Sequence, residues 1–89
     1  MDLFTVELLL PDRRLYKGPA TLVMVPGFEG ELGILANHIG FLAKLKEGIV
    51  RIFVNDEPEI DFQISYGYLE MVNNVCSIIA DREVQKNIA

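Results

Sequence analysis

The sequence predicts an all-β fold, a flattened barrel or sandwich of about ten mostly antiparallel strands. Three observations carry that expectation. Apolar residues recur at every second position in several short runs. Turn-forming pairs (Pro-Asp, Pro-Gly, Asn-Asp and Asn-Asn) separate those runs at close spacing. Helix-type spacing appears in only two short segments. The 89 residues suit a single domain, and their 51% hydrophobic content is enough for a core.

In chain order, FTVELLL places Phe4, Val6, Leu8 and Leu10 on one face of a strand. PDRR, residues 11–14, then turns the chain, with proline preset for a turn and aspartate able to bond nearby backbone. ATLVMV is a short β-branched run that ends at Pro26-Gly27. IGFLAKLKEG has some helical spacing, but Gly40 and Gly48 hold any helix to two turns. GIVRIFV alternates Ile49, Arg51 and Phe53 against Val50, Ile52 and Val54. NDEP at 55–58 reads as a hairpin loop, and EIDFQIS returns with Ile60, Phe62 and Ile64 inward. YLEMV, the turn Asn73-Asn74 and VCSIIA form one more hairpin. The end, DREVQKNIA, opens on Asp81, a good helix N-cap. The expected organisation is a β-sandwich over residues 1–82 and a stub over 83–89, the start of a C-terminal helix at most.

Charge narrows the partners. Eight Lys and Arg against thirteen Asp and Glu leave a net charge of −5. Phosphate backbones and anionic lipid surfaces both select for Lys and Arg, so neither nucleic acid nor direct lipid insertion is expected. In the N-terminal stretch the longest apolar run, Leu8 to Pro11, is far short of the ~20 residues of a membrane span. MDLFTVELLLPDRR lacks the basic start of a signal peptide, and a single cysteine, Cys76, excludes an intrachain disulfide. A soluble protein of a reducing compartment is expected.

The densest stretch is VPGFEGELGILANHIGF, residues 25–41. Its glycines at 27, 30 and 33 are spaced G-x-x-G-x-x-G. Dinucleotide and phosphate loops need other spacings and lead into a helix, and Glu29 and Glu31 would repel a phosphate. No cofactor is expected; the glycines serve positive φ and close backbone approach. His38 is the only histidine and lacks the three or four ligands of a zinc centre, so no metal is expected either. Ser65 and Ser77 sit in plain strand patterns without a nucleophile elbow, so no catalytic residue is assigned. Cys76 reads as a buried, inert thiol, while Tyr66 and Tyr68 share one face as packing or as contact surface. From the residues alone, the chain is an acidic all-β module that binds protein. The alternative is a small ligand-binding or enzymatic barrel with the glycine loop as its mouth.

The stretch VPGFEGELGILANHIGFLAKLKEGIVRI resembles the signature of the epsilon subunit of bacterial F-type ATP synthases, counterpart of the mitochondrial delta subunit. The pattern V-P-G-x-x-G-x-x-G-I-L-x-x-H, followed by G-x-V-x-I, is met at Val25, Pro26, Gly27, Gly30, Gly33, Ile34, Leu35, His38, Gly48, Val50 and Ile52. VELLLPDRRLYKGPA and GYLEMVNNVCSIIAD are similar to the family's opening strand-and-turn and to its closing hairpin, so residues 3 to 82 are covered. Ala36, Gly40 and Tyr66 depart from it.

The resemblance implies a non-catalytic rotor subunit of the central stalk. Such a subunit links the gamma subunit to the membrane rotor ring and supports coupling of proton flow to ATP synthesis. It implies a ring contact through Phe28, Glu29, Gly30, Glu31 and Leu32, meeting the polar loops of the ring. It implies a gamma contact through His38, Ile39, Phe41 and Leu42, with Leu10 and Glu70. The expected location is the cytoplasmic face of the bacterial inner membrane, peripheral, within the complex.

Overall fold

The computed structural model describes residues 2–84. Nine strands run through them: β1 (Phe4–Leu9), β2 (Arg14–Ala20), β3 (Leu22–Gly27), β4 (Gly30–Ile34), β5 (Phe41–Leu45), β6 (Gly48–Phe53), β7 (Ile60–Ile64), β8 (Gly67–Val72) and β9 (Val75–Ala80). The fold is all-β, as the alternating pattern requires. Inward positions of that pattern fill one core, in which Val6, Leu8, Val23, Val25, Val50, Ile52, Leu69, Met71 and Ile78 are fully buried.

Hydrogen bonds connect the strands in the order β2-β1-β9-β8-β5-β3-β6-β7, with β4 paired to β3. All pairs are antiparallel except β1 with β9. The sheet is folded over on itself. Between β5 and β3 the only register pair is Gly27 with Leu45, so β2-β1-β9-β8-β5 forms one layer and β4-β3-β6-β7 the other. At the far edges the layers meet through the Tyr16 and Phe62 rings, 6.0 Å apart between β2 and β7. A second corner lies between β7 and β8. There the Ser65 amide donates to the Arg82 carbonyl at 3.1 Å, the Val84 amide donates to the Gln63 carbonyl at 2.7 Å, and Glu83 bridges Ile64.

Asparagine sets the turns. Asn73 and Asn74 have φ of 50° and 61°, the two left-handed residues of a type I′ hairpin between β8 and β9. Asn55, at φ 44°, turns the chain after β6. Its amide is held 3.1 Å from the Thr21 hydroxyl, which itself donates to the Phe53 carbonyl at 3.0 Å.

Two segments differ from the sequence reading. The candidate helix in IGFLAKLKEG is strand β5, with Leu45 buried, Phe41 and Ala43 packed on the core, and Leu42 and Lys44 outward. A ladder of five residues to β8 decides this, since Phe41–Leu45 pair with Met71–Gly67. The glycine stretch, read as a tight loop, extends into a paired hairpin, because β3 and β4 pair from Val23–Ile34 out to Gly27–Gly30. The C-terminal helical start falls partly on residues 81–84, which are extended here, and partly on 85–89, which lie outside the described residues.

Candidate docking surfaces

The tip of the β3–β4 hairpin is Phe28-Glu29, flanked by Gly27 and Gly30. Neither tip residue has positive φ; Gly30, at φ 129°, takes up the twist that an L-residue resists. A Cβ on Gly27 would stand 2.6 Å from the Gly30 carbonyl oxygen, so Gly27 is glycine for want of space and Gly30 for its φ. The hairpin thus projects Phe28, 55% exposed, and Leu32, 37% exposed, beside Glu29 and Glu31. Strand β5 braces it. The Phe28 amide donates to the Lys44 carbonyl at 3.1 Å, the Lys46 amide donates to the Pro26 carbonyl at 2.9 Å, and the Lys44 ammonium lies 5.0 Å from the Phe28 ring centroid. All five residues expected at a ring contact therefore share one projection. Ala43 and Lys44 complete the groove beneath it.

The second feature is the outer face of the β5-β8-β9 layer. Strand register sets Leu42 beside Glu70 and Glu70 beside Ser77, Lys44 beside Tyr68 and Tyr68 beside Ile79, and Val72 beside Val75. Leu42 is 68% exposed and Ile79 52%, and Tyr68, Val72 and Val75 are also exposed. One acid, Glu70, sits in the middle of this apolar surface. Ile39, 85% exposed, extends it from the loop before β5, where the His38 ring packs 4.7 Å from the Phe41 ring. Phe41 itself is half-buried against the core, so its reach outward is through His38. Thus His38, Ile39, Phe41, Leu42 and Glu70 gather in one region. Leu10 does not join them. It follows Leu9, which pairs with Ile79 beside Tyr68, and so lies at the opposite end of the layer from His38.

Sequence reasoning missed Lys44, Val72, Val75 and Ile79. Their signal was present: YLEMV and VCSIIA carry apolar residues on both faces, more than one buried side consumes.

No chemistry gathers at either feature. Among the described residues no three His, Cys, Asp or Glu side chains form a metal-binding group, and every buried side-chain polar atom has a hydrogen-bond partner. Burial pushes the Cys76 thiol up to about 12, which leaves it protonated and unreactive at neutral pH. Glu59 is raised by a hydrogen bond with the Asp61 side chain, at the β6–β7 edge away from both surfaces. Among the described residues, no helix is long and apolar enough to cross a membrane.

The fold and these surfaces define a small β-sandwich that offers apolar protein-contact surface around a filled core. The family described as "ATP synthase, Delta/Epsilon chain, beta-sandwich domain" matches residues 3–86, and the chain belongs to it. It is 36% identical over 85 residues to an ATP synthase epsilon chain 2 of Ralstonia nicotianae, a match covering 96% of this chain and 61% of that one. It is 40% identical over 78 residues to an ATP synthase epsilon chain of Dichelobacter nodosus, covering 88% and 54%. The chain therefore spans little more than half the length of these relatives. In structure it resembles a chain of the Euglena gracilis mitochondrial ATP synthase, solved as OSCP/F1/c-ring, with a TM-score of 0.81 and 23% identity over 89% of this chain and 51% of that one. A chain of the Tetrahymena thermophila mitochondrial ATP synthase central stalk and c-ring gives 0.75 and 20%, covering 91% and 65%. At such identities the structural likeness speaks for the fold.

Proposed function

We propose that this chain is the β-sandwich of a central-stalk rotor subunit in a proton-translocating F-type ATP synthase. In this reading it makes no bond and breaks none. The Phe28–Leu32 hairpin seats on the polar loops of the membrane rotor ring. The face around Leu42 and Glu70, with His38 and Ile39, clamps the gamma subunit. Phe41 acts from behind as a packing support, and Leu10 lies at the opposite end of the layer, outside this contact. The complex places the chain at the cytoplasmic face of a bacterial inner membrane.

One observation carries the reading: two exposed apolar features, a hairpin tip and a sheet face, are fixed to one rigid strand. Strand β5 presents Leu42 to the sheet face and braces Phe28 through the Lys44 carbonyl and ammonium. A rotor link needs such an arrangement, since torque crosses it only if its two contacts cannot shear. Family membership and the names of the relatives support the choice of partners.

The test is to mix the purified 89-residue chain with a gamma subunit, then with gamma bound to a detergent-solubilised ring. Co-elution in both steps is expected. Leu42→Asp should abolish the first step, and Phe28→Asp only the second. A chain that elutes alone from gamma would remove the reading.

A further inference from the structure

Residues 35–40 connect β4 to β5 and carry Leu35, His38 and Ile39, all exposed. Outside the strand ladders, no backbone–backbone hydrogen bond among the described residues involves this loop. Side chains hold it instead. The Asn37 backbone N–H donates to Asn74 Oδ1 at 2.6 Å, and Asn74 Nδ2 returns a bond to Asn37 Oδ1 at 3.0 Å. Asn37 Nδ2 also donates to Asp2 Oδ2 at 3.1 Å. The Asn74 carbonyl accepts from the Thr5 amide at 3.0 Å, so the acceptor is itself fixed to β1. Three segments remote in sequence meet at this point: the N-terminus, the 35–40 loop and the β8–β9 turn.

Backbone shape does not by itself demand these amides. Asn37 and Asn74 lie at φ 62° and 61°, where glycine is at least as comfortable. Asparagine meets the φ requirement and closes the reciprocal pair as well. Ile34 is buried and Phe41 half-buried, which anchors the two ends of the loop. Between those anchors, the pair sets where Ile39 points.

We propose that Asn37 and Asn74 are positioning residues: their amide pair clips the 35–40 loop to the β8–β9 turn and so presents Ile39 in register with the Leu42 face for the stalk partner. The role rests on the gamma-docking reading above. A loop tip with an 85% exposed isoleucine and no backbone ladder samples many positions when unclipped. Apparent affinity falls by the fraction of time the binding geometry is populated, so ordering the loop in advance raises affinity without adding a contact.

Glycine variants separate this role from turn geometry. Asn74→Gly keeps the left-handed backbone and removes both bonds of the clip, whereas Asn37→Gly keeps the backbone N–H bond to Asn74 Oδ1 wherever Asn74 remains and removes only the return bond and the bond to Asp2. Asn73→Gly changes the same turn, at φ 50°, where the side chain makes none of the clip's bonds. Each full chain is assayed for amide hydrogen exchange at Asn37 and for affinity to purified gamma subunit. Asn74→Gly should exchange faster at Asn37 and bind about tenfold more weakly, as expected if the competent geometry falls to about a tenth, and Asn37→Gly should change both less, because its N–H keeps the Asn74 acceptor. Asn73→Gly binding should match the wild type. Ile39→Ala should cost less affinity on the Asn74→Gly background than on the wild type, because an unclipped Ile39 already contributes little. Faster exchange with unchanged binding would overturn the proposal. So would weaker binding at unchanged exchange, which marks a direct contact. A wild-type chain that does not bind gamma sinks the docking reading first and the positioning role with it.

Discussion

A Cβ placed on Gly67 would fall on the Ile79 carbonyl oxygen and stand 2.9 Å from the Ala80 Cα. Both obstacles are backbone of the neighbouring strand, so neither can swing aside. Gly33 is different, since a Cβ there meets the Met24 sulfur at 3.1 Å, the end of a flexible side chain. We therefore expect Gly67→Ala to cost about 3 kcal/mol or more and Gly33→Ala less than about 1, read as shifts in urea midpoint. Equal shifts would mean that strand β9 yields more easily than its ladder implies. Cys76 allows a second prediction at this scale. Its thiol is held above the usual range by burial, so the folded state keeps its proton after the unfolded chain has lost it. That contribution is fully present below the unfolded thiol's pKa. It is lost as pH rises from there toward about 12, at up to ~1.4 kcal/mol per pH unit. Unfolding measured between neutral pH and high alkali should show this slope in the wild type and lack it in Cys76→Ala. Parallel curves would refute it.

At the scale of elements, the β3–β4 hairpin sets an aromatic ring against two carboxylates. Burying Phe28 fully contributes roughly 1.5–3 kcal/mol, whereas an exposed ion pair made by Glu31 contributes about 0–1. Phe28→Ala should therefore weaken seating on the rotor ring more than Glu31→Gln does. Only the Glu31→Gln loss should shrink as salt is raised. Sedimentation of each variant with ring-containing membranes, at low and high salt, checks both statements, and a dominant, salt-sensitive Glu31 would make the contact electrostatic. The extended segment 82–84 is the other telling element. It stitches the β7–β8 corner with two backbone hydrogen bonds. At about 0.5–1.5 kcal/mol each, ending the chain at Asp81 should lower stability by about 1–3 kcal/mol in chemical denaturation. An unchanged midpoint would show that the corner holds without its stitch.

For the whole molecule, the decisive fact is a filled interior. Apolar side chains from both layers occupy the space between them, and the described polar groups that are buried are all satisfied. Titration calorimetry with ATP at millimolar concentration should give no binding heat, and the isolated chain should release no phosphate from ATP. A measurable affinity would revive the ligand-binding barrel as an explanation of the glycine stretch.

Much of this was legible in the residues. Alternation in FTVELLL, GIVRIFV and EIDFQIS fixed those strands and their inward faces, because a period of two leaves one buried side. Asn73-Asn74 fixed a hairpin, because few residues tolerate two successive left-handed positions. The motif from Val25 to Ile52 carried the family. Other features are decided only by pairing. Phe41–Leu45 has no strong period of its own, and becomes a strand because β8 offers it a ladder. The apolar excess on β8 and β9 becomes a surface only when Leu42, Tyr68 and Ile79 are brought side by side. Leu10 and His38 part to opposite ends of one layer, and Asn37 meets Asn74 across 37 positions of sequence. Local pattern can say which side of a strand is buried. Which strands are neighbours depends on long-range contacts that no short window of sequence contains.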